Sequence, residues 1–192
     1  MNVEQNFPAD KPLNICVIGN HVLREKTKSI TVFDDELSDF VKKMLRCMYD
    51  NNGIGLAAPQ VGQSKKICVI DVSPCLSDGD SCTMDGSQNV DIRKIMPLFM
   101  INPAITEESA ETSDEMEGCL SVPDFSASVR RPSTVTVQFM DIHAQKHSIT
   151  ANAILARCMQ HEIDHLNGRL YTDLIGKTDK LRLAKYLSEH AD

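Results

Sequence analysis

Apolar positions along the chain recur with two periods, and the period separates helix from strand. From Leu37 onward, apolar side chains return at Phe40, Val41, Met44, Leu45 and Met48, the spacing of one buried helical face. Asp34 or Asp35 can cap that helix at its start, and the run Asn51-Asn52-Gly53 can end it. Residues 153–168 carry two neighbouring stripes at helical spacing: Ile154, Cys158, His161 and His165, beside Leu155, Met159, Glu162 and Leu166. A helix apolar on two adjacent stripes is buried over much of its girth. Asn152 is its predicted N-cap, and Gly168 can take the left-handed backbone that ends it. A last amphipathic helix over residues 178–190 is expected to turn Leu183 and Leu187 inward.

Short β-branched or alternating runs predict strands at 15–18, 66–72, 98–101 and 134–140, the last with one wet face. Residues 146–149 can pair back onto the 134–140 run. Asn102-Pro103 is expected to stop the third strand, and the acidic, serine-rich 106–115 stretch reads as a solvated hairpin or loop. Residues 1–13 read as a loose lead-in. Residues 73–97 are polar and rich in turn signals, and predict a long mobile surface excursion dispensable for a short substrate. Such an insertion is tolerable because loop closure costs only about 0.6 kcal/mol per doubling of length. No internal repeat or domain boundary shows, so residues 1–192 read as a single domain.

Composition narrows the function classes. Hydrophobic residues at 42% and charged ones at 24% are those of an ordinary soluble globular protein. The net charge of −7 gives no support to a surface that coats nucleic acid. No apolar run approaches the roughly 20 residues that cross a bilayer. The N-terminus lacks a signal core and an arginine-rich transit pattern, so the expected location is cytoplasmic. Seven cysteines without a CxxC pair then read as reduced thiols rather than a disulfide framework.

The chemistry gathers in three stretches. His161 and His165 lie one helical turn apart, offset by only about 40°, so both imidazoles can reach one metal ion. Glu162 is rotated by about 100° from His161, beside the metal without having to bind it, where a general base for an activated water belongs. A catalytic site of this kind needs a third protein ligand. The continuation HExxHxxGxxH fits Gly168 but meets Tyr171 at its final histidine. The thiol of Cys119, beside the turn-permitting Gly118, is the better third ligand. Upstream, the small residues of GIGLAAPQ, from Gly53 to Gln60, let a peptide approach the backbone as an added strand.

Together GIGLAAPQ, the EGCLS run from Glu117 to Ser121 and the QHEIDH run from Gln160 to His165 resemble the three signature motifs of the bacterial-type peptide deformylases, in the family's order. The resemblance implies an α+β fold with antiparallel sheets around the HExxH helix. It also implies removal of the formyl group from N-formylmethionine on new polypeptides, by attack of an activated water on the formyl carbon. Cys119, His161 and His165 would be metal ligands, and Glu162 the acid/base. Gln60 and the backbone N–H of Leu120 would be oxyanion donors, and the backbone at Ile54 and Gly55 would hold the substrate main chain. The implied cofactor is one divalent ion, commonly Fe2+ in the family, with Zn2+ or another ion able to bind. Ile154, Cys158 and Leu120, apolar and near the ligands, are expected to line a methionine-sized pocket. The segment after Pro123 lacks an arginine that some relatives place there. The rival readings are a metallopeptidase or other small amidase, and a metal-binding module without catalysis. The basic residues Lys177, Lys180, Arg182 and Lys185 leave ribosome docking open as a further expectation.

Overall fold

The computed structural model of the chain describes residues 12–88 and 90–190, so most of the expected N-terminal lead-in lies outside the described residues. In chain order the strands are β1 (Gly55–Ala57), β2 (Ile67–Ile70), β3 (Cys82–Met84), β4 (Leu98–Glu108), β5 (Thr112–Cys119), β6 (Val122–Pro132), β7 (Thr134–Met140) and β8 (Lys146–Asn152). The helices are α1 (Asp35–Asp50), the single turn α2 (Ile92–Ile95), α3 (Ala153–Leu166) and α4 (Lys177–Glu189). The fold is α+β. Six strands form one antiparallel sheet in the order β1-β2-β4-β7-β8-β3, and β5 and β6 form a separate two-stranded ribbon.

Side-chain alternation explains how the layers stack. In β2, Ile67 and Val69 face α1 and join Leu37, Val41, Met44, Leu45 and Met48 in one core. Cys68 and Ile70 point the other way and pack with Leu155, Cys158, Met159 and Ile163 of α3. A strand buried on both faces has no wet side, which is why its sequence runs apolar without a break. In β7, Val135, Val137 and Phe139 face the α3 core while the residues between them stay at least partly wet. Asp34 caps α1 by accepting from Leu37 N–H at 2.9 Å.

Several expectations need correction. Residues 15–18 form no strand; Cys16 N–H bonds to Gln60 O and Ile18 N–H to Ser121 O, both at 2.7 Å. The extended segment spans two different partners, so no ladder can form. β4 runs past Asn102-Pro103 to Glu108 through register shifts on either side of Ala104. A proline at a bulge loses no ladder bond, because the ladder is already interrupted there. The 106–115 stretch is mostly the exposed ends of β4 and β5 rather than loop.

Residues 73–97 do run over the surface, but they carry structure. β3 adds to the free edge of β8, with Cys82 buried against the α3 core. Asp80 Oδ1 accepts from Ile154 N–H at 3.2 Å, while its Oδ2 accepts from Ser77 N–H at 2.6 Å. Asn152 makes no side-chain cap; it accepts from Ser81 N–H at 2.8 Å instead. The excursion therefore supplies the cap of α3. Gly168, just past the helix, takes φ +74° as expected. On α4, Leu183 is half-buried against the ribbon core but Leu187 is exposed, because the helix crosses the molecule's edge and touches it along one narrow strip.

Candidate metal centre

α3 holds His161 and His165 one turn apart, and the end of β5 brings Cys119 to them. Cys119 Sγ lies 3.2 Å from His165 Nε2, and the three ligand atoms all fall within 4.8 Å of one another. Two ligands on one tetrahedral ion with bonds of ~2.0–2.3 Å stand about 3.3–3.6 Å apart. The thiol and two imidazoles thus fit one divalent ion. His161 Nδ1 is 2.9 Å from Glu117 Oε2, which leaves Nε2 to face Cys119. Burial holds His165 well below the usual histidine range, so its imidazole is neutral and keeps a lone pair for a ligand bond.

Glu162 is 3% exposed, not solvated. Burial, opposed by His161 and aided by Glu117, pushes its carboxyl up to about 7. Its Oε2 is enclosed and has no hydrogen-bond partner among the described residues, and Glu162 is one of the residues that line the cleft. The other oxygen explains Gly55: a Cβ there would run into Glu162 Oε1 and come within 2.8 Å of Cys158 Sγ. Only glycine lets the backbone of β1 approach α3 this closely.

Gln60 is held at both ends of its amide. Its Oε1 accepts from Ala57 N–H at 2.7 Å, and its Nε2 donates to Ser121 Oγ at 3.3 Å and toward Cys119 Sγ at 3.4 Å. The 15–18 segment ties the carbonyls of Gln60 and Ser121, fixing the two loops against each other. Leu120 lies in the turn between β5 and β6. A cleft of about 740 Å³ opens here, lined by Ile54, Gly55, Gln60, Cys119, Leu120, Ile154, Cys158, His161 and Glu162 among others. His165 sits behind its wall, fully enclosed. The Ile54 carbonyl already accepts from Asp71 N–H at 2.9 Å.

Sequence reasoning missed the support behind the ligands. Glu117 Oε1 accepts from Arg131 Nε at 2.6 Å and Arg157 Nη1 at 2.7 Å, while Arg131 Nη1 donates to Asp164 Oδ2 at 2.8 Å. Burial would raise the Glu117 pKa, but His161 and Arg131 outweigh it and bring it to about 2. Glu117 is therefore a fixed anion orienting the His161 ring. Tyr171, where a longer motif would place a third histidine, stacks on His161 at 5.8 Å between ring centroids and donates its hydroxyl to Phe125 O at 2.8 Å. The available signal was Arg157 and Asp164 themselves, charges on a helix predicted to be buried over much of its girth, which demand partners wherever they fall on its buried side.

Comparisons with known proteins lead to the same place. The family model described as polypeptide deformylase matches residues 12–181. Peptide deformylase 1 of Nostoc sp. is 39% identical over 188 residues, covering 98% of this chain and 91% of its own. The peptide deformylase of Prochlorococcus marinus is 41% identical over 184 residues, covering 95% and 82%. Among solved structures, a peptide deformylase from Synechococcus elongatus in complex with actinonin superposes with a TM-score of 0.79 at 36% identity, covering 98% and 91%. A Plasmodium falciparum peptide deformylase in complex with an inhibitor gives 0.76 at 35%, covering 92% and 97%. With a thiol and two imidazoles gathered beside a buried glutamate, and relatives that match nearly end to end, this chain belongs to the polypeptide deformylases and is a metal-dependent hydrolase.

Proposed function

We propose that the protein removes the formyl group from the N-terminal formylmethionine of new polypeptides and releases formate. The observation that carries this reading is Glu162, a buried carboxylate among the residues lining the cleft, with one enclosed oxygen that has no hydrogen-bond partner among the described residues, beside the Cys119, His161 and His165 cluster. A purely structural metal site has no use for such a group. A divalent ion held by the three residues supplies Lewis acidity and lowers the pKa of a water towards ~7. Glu162 takes the proton of the attacking water and returns it to the amine that leaves. Gln60 Nε2 and the Leu120 N–H donate to the oxyanion that develops at the formyl oxygen. The edge of β1 at Ile54 and Gly55 holds the substrate main chain; with the Ile54 carbonyl bonded to Asp71, the contact at that residue falls to its N–H. Ile154, Cys158 and Leu120 receive the methionine side chain.

Fe2+ is the proposed native ion, by family alone, with Zn2+, which the soft thiolate also suits, or another divalent ion as a substitute. The cytoplasm is the proposed location, where nascent chains emerge. Lys177, Lys180, Arg182 and Lys185 on α4 are the proposed face toward the ribosome, and no nucleic-acid site is proposed. Protein purified without oxygen and analysed for metal should release formate from formyl-Met-Ala-Ala and leave internal peptide bonds intact. Internal cleavage without formate would replace this reading with a metallopeptidase.

A further inference from the structure

The cleft wall beside β1 is a short strap, residues 51–53, that joins the end of α1 to Ile54. Asn51, Asn52 and Gly53 all line the cleft. The N–H groups of the strap turn back to the helix it leaves: Asn51 N–H to Cys47 O and Met48 O, Asn52 N–H to Tyr49 O, and Gly53 N–H to Met48 O. Those bonds fix its start and leave its far end, where the chain enters β1, to be held by something else. Gly53 also lies so close to Leu120 that a Cβ there would meet its Cδ1 at 2.9 Å, which leaves the strap little room on that side.

Asp71, just past β2, holds the strap at both ends. Its N–H donates to Ile54 O at 2.9 Å, which carries the β1–β2 pairing one residue beyond Gly55 and Ile70. Its Oδ2 accepts the hydroxyl of Tyr49, in the last turn of α1, at 2.6 Å, and its Oδ1 accepts from Ser73 N–H at 3.0 Å. One residue thus ties Tyr49 before the strap to Ile54 after it. A hydroxyl on a carboxylate at this distance is a charge-assisted bond, stronger than a neutral one. Burial, with Asp71 beside it, raises the Tyr49 pKa above the tyrosine range, so the phenol keeps the proton it donates.

We propose that Tyr49 and Asp71 are positioning residues for the substrate main chain, clasping the strap so that the β1 edge at Ile54 is set before the peptide arrives. This deepens, and rests on, the deformylase reading. Neither side chain is among those lining the cleft, so both act through the strap. Gly55 lies against Glu162 and Ile54 one residue further out, so the clasp serves the residues after formylmethionine more than the formyl group. A peptide added to a sheet edge binds through main-chain hydrogen bonds, and an edge already ordered spares the cost of ordering it on binding. Loss of the clasp therefore weakens binding and leaves the chemical step alone.

The test compares formyl-Met-Ala-Ala with formyl-methioninamide, which has almost no main chain beyond methionine, on the metal-loaded enzyme. Tyr49→Phe removes only the hydroxyl, at a half-exposed position. It should raise KM for formyl-Met-Ala-Ala by roughly three- to tenfold, the range of one lost hydrogen bond, with kcat held within about twofold. The kcat/KM for formyl-methioninamide should fall by less than about twofold. Asp71→Asn, whose amide can still donate to the Tyr49 oxygen, should cost less than Asp71→Ala. In the Asp71→Ala background, Tyr49→Phe should add less than about twofold, because its partner is already gone. Native-state hydrogen exchange should show the Asp71 amide opening faster in Tyr49→Phe, since its bond to Ile54 O is part of the clasp. An unchanged KM, a fall in kcat shared by both substrates, or fully additive costs in the double variant overturns the proposal, while formate release leaves the deformylase reading standing. Formate from neither substrate with the wild-type enzyme overturns both.

Discussion

Glu162 follows His161 in the chain but projects about a quarter turn away round the helix, and that offset separates proton transfer from metal binding. Glu162→Gln should keep the metal and lose turnover by ~10²–10⁴, the span of a lost general acid–base group. Near-normal turnover with full metal occupancy would remove Glu162 from the chemistry. Glu117 acts one step further back. Its carboxylate is shared by His161, Arg131 and Arg157, so Glu117→Gln leaves two buried guanidinium groups poorly compensated. Urea unfolding should show a loss of about 3–5 kcal/mol, the cost of removing one partner from a buried charge network. Metal titration should show affinity lower by ~10–100-fold, because the bond that orients a ligand imidazole is weakened. Unchanged stability would mean the arginines find other partners. At this scale the gathering of Cys119, His161 and His165 was legible, because a histidine pair at helical spacing lacks a third ligand and the thiol beside Gly118 could supply it. Arg131, Arg157 and Tyr171 were not, since their roles depend on which elements pack behind the helix.

At the scale of elements, legibility followed burial. The 134–140 strand could be read because one face is buried and the other wet, and α1 because its apolar face repeats every turn. The 15–18 run was misread because a short apolar stretch looks the same whether it joins a ladder or bridges two loops. The 73–97 excursion was misread because its tie to the fold is polar: Asp80 caps α3, and an imidazole clasp holds the turn after β3. In that clasp His147 Nδ1 lies 2.7 Å from Asp85 Oδ2 and Nε2 lies 3.3 Å from Asp141 Oδ2, with Phe139 against the ring. Asp85 Oδ1 also accepts from Ser148 N–H at 2.8 Å. Asp85, against partial burial and with help from Asp141, raises the His147 pKa, while both aspartates are lowered. A raised histidine stabilises the fold below its unfolded pKa of about 6.5, and that contribution fades as pH rises through the higher folded value. The lowered aspartates work the other way, losing their contribution as pH falls below about 4. His147→Gln should therefore cost most thermal stability near pH 5–6 and little near pH 9, by the same linkage. A melting-temperature difference that is flat across this range would show that the clasp is not charged. Asp80→Ala should cost ~0.5–2 kcal/mol, as for a lost helix cap.

Across the whole molecule, the three motifs are carried by different layers. Cys119 belongs to the β5–β6 ribbon, His161 and His165 to a helix packed on the six-stranded sheet, and Gln60 to the turn after β1. Their order was readable along the chain, but their meeting depends on how the ribbon lies over α3, through contacts far apart in sequence. A divalent ion at the cluster would join ribbon to helix, so its binding free energy is also folding free energy. An ion at about a hundredfold excess over its Kd adds ~2.7 kcal/mol to the native state. For a protein of this length each kcal/mol moves the melting temperature by ~2–4 °C, giving a rise of roughly 5–10 °C on loading the metal-free protein. Cys119→Ala, left with two imidazoles, should lose tight binding and with it most of the rise. Substituting Cys75, exposed and not part of the cluster, should leave the rise intact. An equal rise in the Cys119 variant would place the stabilising ion elsewhere, and would remove the thiol from the ligand set.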